Sequence, residues 1–226
     1  MLRTALLSSL LFFHLPAHAE SEFYNRVDFQ VEAAREVAND LLVTSMSVEV
    51  QDRQPSRVAQ QINAALNDAL KKASAYASVK ASSGTQSTYP VYGKNSRIDA
   101  WRGHGDIRLE SRDFKAAGEL IMQLQSSLQV GSVQFSVAPD TRISVENALI
   151  AEAIRAFQSR ADAVRAAVGA KSYQIVHFSI NGGGTTPHYP MALMRSAVAD
   201  EAIPAPEFSG GESRMTVQIS GTIELQ

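Results

Sequence analysis

The chain has 226 residues, with 21 Lys and Arg against 23 Asp and Glu, a formal net charge of −2, 45% hydrophobic residues and no cysteine. No basic excess marks it for nucleic acid, so none is expected as a partner, and the lack of cysteine removes thiol nucleophiles, thiolate metal sites, disulfides and acylated cysteines. Its length suffices for a sizeable core, and a single domain over residues 20–226 is expected.

Residues 1–19 have the order of an export signal. Arg3 gives a positive start, and Ala5 to Leu15 is apolar apart from Ser8, Ser9 and His14. Pro16 breaks that run ahead of Ala17-His18-Ala19, whose small side chains at the first and third positions suit signal peptidase. The run is shorter than the roughly 20 residues a spanning helix needs. Cleavage between Ala19 and Glu20 is therefore expected, with a periplasmic mature chain that has no integral membrane segment.

Val27, Phe29, Val31 and Ala33 alternate with polar positions, and Leu42, Thr44, Met46, Val48 and Val50 do so again. Asn39-Asp40 lies between the two runs, which reads as an antiparallel hairpin. Pro55 suits the first turn of a helix. Val58, Ile62, Ala65, Leu66, Ala69, Leu70 and Ala73 follow at helical spacing, with Lys71 and Lys72 at the end that favours cations. A Ser- and Thr-rich stretch from Ala77 to Tyr92 reads as extended. Next comes a strand from Arg97 to Ser111, with Trp101, Gly103, Gly105, Ile107 and Leu109 on one face. Asp113 is placed to cap a second helix whose Ala117, Leu120, Ile121, Leu124 and Leu128 face the core.

Gly131 reads as the end of a connection before a short strand through Val133, Phe135 and Val137. Pro139-Asp140 leads into the longest helix, with Ser144 a candidate cap and Ile150, Ile154, Phe157, Ala161, Val164 and Val168 as its apolar stripe. Gly169 suits a left-handed C-cap. Tyr173 to Asn181 reads as a strand with Val176, Phe178 and Ile180 on one side, then Gly182-Gly183-Gly184 as a turn. Met215 to Leu225 alternates as a final strand. This order departs from strict βαβ alternation. It predicts an α+β fold, a mixed, largely antiparallel sheet or sheets with three helices packed on them.

The layout resembles the SIMPL-domain family, which includes bacterial periplasmic and outer-membrane immunogenic proteins and a eukaryotic signalling adaptor. The resemblance rests on Val48-Glu49-Val50, Tyr89-Pro90-Val91-Tyr92 before the Ile98-to-Leu109 strand, and the Asp113-Phe114 helix start. It continues with the Ala-rich helix from Ala148 to Gly169, and with Ile203-Pro204 through Gly210-Gly211-Glu212 into the last strand. It implies an exported, non-catalytic protein tied to envelope or oxidative-stress phenotypes, with some members forming homo-oligomeric rings. The family has no agreed catalytic residues to carry over, so no catalytic, cofactor or metal residue is assigned and no cofactor is expected.

No nucleophile elbow, zinc-protease motif, phosphate loop or dinucleotide fingerprint is present. His104 and Asp106 share a strand face at the spacing of two metal ligands, with His177 and His188 as further candidates. Arg102 and Arg108 flank the pair, and a solvated face of mixed charge is the other reading. Ser82, Thr85 and Thr88 lie in a two-sided polar stretch, either an arm that pairs with a neighbouring copy or a plain sheet edge. Met191 and Met194 lie in a segment from Gly182 to Glu212, long for a loop, that either packs on the body or meets a partner. Two functions follow. One is a non-enzymatic periplasmic protein that self-assembles or binds an envelope protein. The other is a small-molecule or metal-binding protein, conceivably a hydrolase, using the face around His104, Asp106 and His177.

Overall fold

The computed structural model describes residues 25–188 and 209–226. Seven strands and three helices follow one another as β1 (Arg26–Ala38), β2 (Leu41–Asp52), α1 (Pro55–Ala73), β3 (Val79–Tyr92), β4 (Ile98–Ser111), α2 (Phe114–Leu124), β5 (Gln129–Ser136), α3 (Pro139–Ala167), β6 (Tyr173–His188) and β7 (Glu212–Leu225). A single turn of 3₁₀-helix at Lys94–Ser96 joins β3 to β4. The order is the one the sequence predicts. All pairings are antiparallel, in two sheets ordered β3-β4-β2-β5 and β1-β7-β6. The fold is α+β.

Each sheet has its own core. Leu42, Met46, Ile107 and Leu109 of the four-stranded sheet meet Val58, Ile62 and Leu66 of α1 and Leu120, Ile121 and Leu124 of α2. Val31, Met215, Val217, Ile219 and Ile223 of the three-stranded sheet meet Leu149, Ala153, Phe157 and Ala161 of α3. The first lobe is one continuous piece, 41–136, set inside the second. Leu41 and Ser136, where the chain enters and leaves it, are partners in the β2–β5 ladder.

Local chemistry sets the helix positions. Gly103 and Gly105 let α1 close on β4: a Cβ at Gly103 would stand 2.3 Å from Val58 Cγ1, and one at Gly105 would stand 2.6 Å from Ile62 Cγ2. Asp113 caps α2, its carboxylate accepting the Ala116 N–H at 3.0 Å. α3 ends with Gly169 at φ +73°, the left-handed conformation that favours glycine.

The β1–β2 hairpin does not form, because the two strands belong to different sheets. Asn39 and Asp40 act as a joint. The Asn39 N–H donates to Gly211 O at 3.0 Å. Its side chain donates to Gly210 O at 2.8 Å and accepts from the Ser213 hydroxyl at 2.7 Å. Asp40 accepts the Ala138 N–H at 2.6 Å and the Thr141 hydroxyl at 2.7 Å, where α3 starts. Burial pushes the Asp40 carboxyl upward, but the hydrogen bonds from Ala138 and Thr141 and the charge of Arg112 outweigh it, holding the group below the ordinary carboxylate value. Asp140 is lowered too, first by the Thr141 N–H, then by its hydrogen bond from Arg112.

Several smaller expectations change. Leu128 lies past the end of α2 at Leu124, though it is buried. Ser144 is not a cap: α3 begins at Pro139, and Asp40 from the joint between β1 and β2 accepts the Ala138 N–H and the Thr141 hydroxyl at its first turn. The buried row of α3 is Leu149, Ala153, Phe157 and Ala161, while Ile150, Ile154 and Val164 flank it and Val168 is 59% exposed. Gly131 lies inside β5, where the ladder with β2 shifts register. Gly182-Gly183-Gly184 is part of β6, at a register shift between Gly182 and Thr185, and Val176 is the extra residue of another shift between Ile175 and His177. A bulge inserts a residue without ending the strand, so glycine and a broken alternation mimic a turn in the sequence.

Candidate functional site

Directly opposed residues of an antiparallel ladder share a face. Gly103, Gly105, Ile107 and Leu109 of β4 are buried towards α1, so Arg102, His104, Asp106, Arg108 and Glu110 project from the other, solvated face. His104 Nε2 stands 3.9 Å from Asp106 Oδ1, beyond hydrogen-bonding length. Asp106 is committed elsewhere. β3 bulges between Ser83 and Gln86, and there Thr85 donates its N–H to Asp106 Oδ1 at 2.9 Å. A Cβ on Gly84 would come within 1.9 Å of Asp106 Oδ2, so only glycine lets the carboxylate sit under the bulge. Arg102 pairs with Glu49 at 3.1 Å and Arg108 with Glu110 at 2.7 Å. These partly exposed pairs make a face of balanced charge, each worth about 0–1 kcal/mol.

His177 is not brought to that pair. It projects from the outer face of the three-stranded sheet, in a shallow depression of about 410 Å³ lined also by Asp28, Gln30, Ser220 and Thr222. The Thr222 hydroxyl donates to the Asp28 carboxylate, and Ser179 and Ser220 share a hydrogen bond in the next row. Among the described residues no three His, Asp or Glu side chains gather closely enough to hold a metal ion. The side chain of His188 is outside the described ones. Asp28 and Thr222 were not singled out in the sequence, because only the β1–β7–β6 register sets them beside His177.

Of the candidate interface residues, Ser82, Thr85 and Thr88 are exposed on β3, the edge of the four-stranded sheet. Ser82 opposes Arg108 on the solvated face, Thr88 opposes Gly103 on the helix side, and Thr85 sits in the bulge. β3 is laddered to β4 from Val79 to Tyr92, so it is a sheet edge and not a projecting arm. Met191 and Met194, like Ala17, Ala19 and Glu20, lie outside the described residues. A second long edge went unremarked in the sequence: β6, whose Ile175, Phe178 and Ile180 are 41%, 43% and 40% exposed. Its one sequence signal was sixteen residues without Asp, Glu, Lys or Arg.

A family model matches residues 27–223, from the start of β1 almost to the end of β7; the family is SIMPL, described as a protein of unknown function (DUF541). The chain belongs to the SIMPL family. No match was found among curated proteins. In SIMPL terms, the segments that carried the resemblance fall on β2, β3, β4, α2, α3 and the entry to β7, so they span both lobes, while Ile203-Pro204 lies outside the described residues. No described helix of this SIMPL chain is long and apolar enough to cross a membrane.

Proposed function

We propose that this SIMPL-family chain is a non-catalytic periplasmic protein that acts by self-association, or by binding envelope proteins, in the response to envelope or oxidative stress. The observation that carries the reading is that long strands end the sheets, with β3, β6 and β1 all at edges. Such edges offer backbone N–H and C=O groups to another chain, which gives affinity without a large apolar patch. Export is supported by Arg3, the short apolar run and Ala17-His18-Ala19. Mass spectrometry of periplasmic material should find Glu20 first, and sedimentation with light scattering should find multimers. An intact Met1 chain in the membrane fraction overturns the export reading, and a strict monomer at tens of micromolar overturns self-association.

The rival reading, a binder of small molecules or metal, has one observation in its favour, the depression lined by Asp28, His177 and Thr222. His104 and Asp106 do not line it. Stoichiometric zinc or copper in native protein, lost on His177→Ala, would favour it.

A further inference from the structure

The edges of the two sheets differ in charge. β1 carries Arg26, Asp28, Glu32, Arg35 and Glu36, and β3 carries Lys80 and Pro90. β5 and β6 carry no Asp, Glu, Lys or Arg, but β5 has only eight residues and a bulge at Gly131. Natural sheet edges are blunted by charge, proline or bulges. β6 has two bulges, but between them residues 177–182 run in unbroken register against β7. Ile175, Phe178 and Ile180 oppose Ile223, Gly221 and Ile219 and so face α3, yet each stays about two-fifths exposed. Between them and α3 runs an apolar groove of about 120 Å³, lined by Ile154, Phe157, Ile175, Phe178 and Ile219 with Gln158 at its side.

We propose that β6 pairs antiparallel with β6 of a second copy of this chain, about a two-fold axis at Ser179. The inference rests on the self-association reading above and names its interface. A two-fold axis makes the contact self-complementary, and opposed residues must share a face. An axis at Phe178 would set Ile180 against Val176, the extra residue of a bulge. An axis at Ile180 would set Phe178 against Gly182. An axis at Ser179 sets Phe178 against Ile180 twice on the α3 side, and His177 against Asn181 twice on the other. The missing charge is what suits this strand to its own copy: a symmetric pairing brings the side chains of one strand together about the axis, and β6 has no Lys, Arg, Asp or Glu to repel itself. The two apolar grooves then meet and cover one another.

The absence of cysteine makes the test clean. Opposed residues have Cα atoms about 4.5–5.5 Å apart, within the roughly 4.4–6.8 Å that a disulfide spans. Ser179→Cys in the full chain, purified from cells and mildly oxidised, should give a covalent dimer at about tenfold the yield of Ser87→Cys on β3 or Gln30→Cys on β1. Adding Ile180→Lys should cut that yield about tenfold, with the circular dichroism of the native protein retained. A dimer from Ser87→Cys but not from Ser179→Cys overturns the inference in favour of the β3 edge. No dimer from any variant, in a protein that still sediments as a multimer, overturns it while leaving self-association standing. A monomer throughout removes both. A Ser179→Cys dimer seen only after Met191, Leu193 and Met194 are replaced by Ser would mean that the chain's own segment holds the edge, and overturns it as well.

Discussion

Two helices, α1 and α2, lie on one face of the four-stranded sheet, whereas α3 alone serves the three-stranded one, and the difference shows at the outermost strands. A helix with its side chains is about 10–12 Å across, and strands are spaced about 4.8 Å apart, so one helix shields about two strands. Two helices therefore suit four strands: Val79 on edge strand β3 is buried, and Val133 and Phe135 on edge strand β5 pack against the core. One helix over three strands leaves one short of cover. α3 lies over β1 and β7 and touches β6 less. The three-stranded lobe thus leaves Ile175, Phe178 and Ile180 exposed in a row along β6, whereas the four-stranded lobe exposes Tyr89, Tyr92 and Ile98 at one end of β3 and β4 and Val130 on β5.

The sharpest way to probe this contrast is to remove an aromatic side chain of α3 that reaches both outer strands of the smaller sheet. Phe157 is 3% exposed, stacks on Phe29 with centroids 4.5 Å apart and reaches Phe178 at 6.3 Å. Phe157→Ala should cost about 3–5 kcal/mol in urea melts. Amide exchange should rise more in β1, β6 and β7 than in β2 to β5; an equal rise in both lobes would show one shared core. The larger lobe is best challenged by overfilling. Gly103→Val drives a side chain into Val58 and Ile62 and should cost about 1–3 kcal/mol, with α1 displaced.

The joint between the lobes gives a pH signature. The Asp40 pKa is depressed in the folded protein, so its contribution is fully present above the unfolded value of about 3.9 and is lost as pH falls through the lower, folded one. Asp40→Ala should cost about 1–2 kcal/mol at neutral pH. The difference from the parent should shrink in melts taken at successively lower pH below about 4. The smallest effects are expected on the solvated face of β4. His104→Ala should stay within about 0.5 kcal/mol of the parent, while Asp106→Ala, which loses the bond from Thr85, should cost about 0.5–1.5 kcal/mol. Equal effects would mean that His104 is also fastened.

Periodicity carried most of the fold into view, because each element has one buried face: Val58 to Ala73, Trp101 to Leu109 and Met215 to Leu225 all read correctly. What it could not show was which strands pair. Asn39-Asp40 has the chemistry of a hairpin turn, and only the distant Gly210, Ser213, Ala138 and Thr141 turn it into a joint. Bulges defeated local reading for a related reason: Val176 and the glycines after Gly182 break alternation inside a continuous strand. On the surface, the nearness of His104 and Asp106 was legible from their spacing, but the bulge that claims Asp106 was not. The exposed rim of β6 depends on the width of α3, a quantity no stretch of sequence contains.

The placing of β7 between β1 and β6 has a consequence for timing. The piece 41–136 holds all four strands of its sheet and both of its helices, so none of its ladders waits for residues further along the chain. The other lobe differs. Its first strand and its sixth never touch in the ladder, and both wait for Glu212–Leu225, the last strand in chain order, to come between them. Until then β1, with its alternating Val27, Phe29 and Val31, is an exposed strand with no native mate. A chain made from its amino end therefore carries that strand without its ladder partner until nearly the last residue is in place.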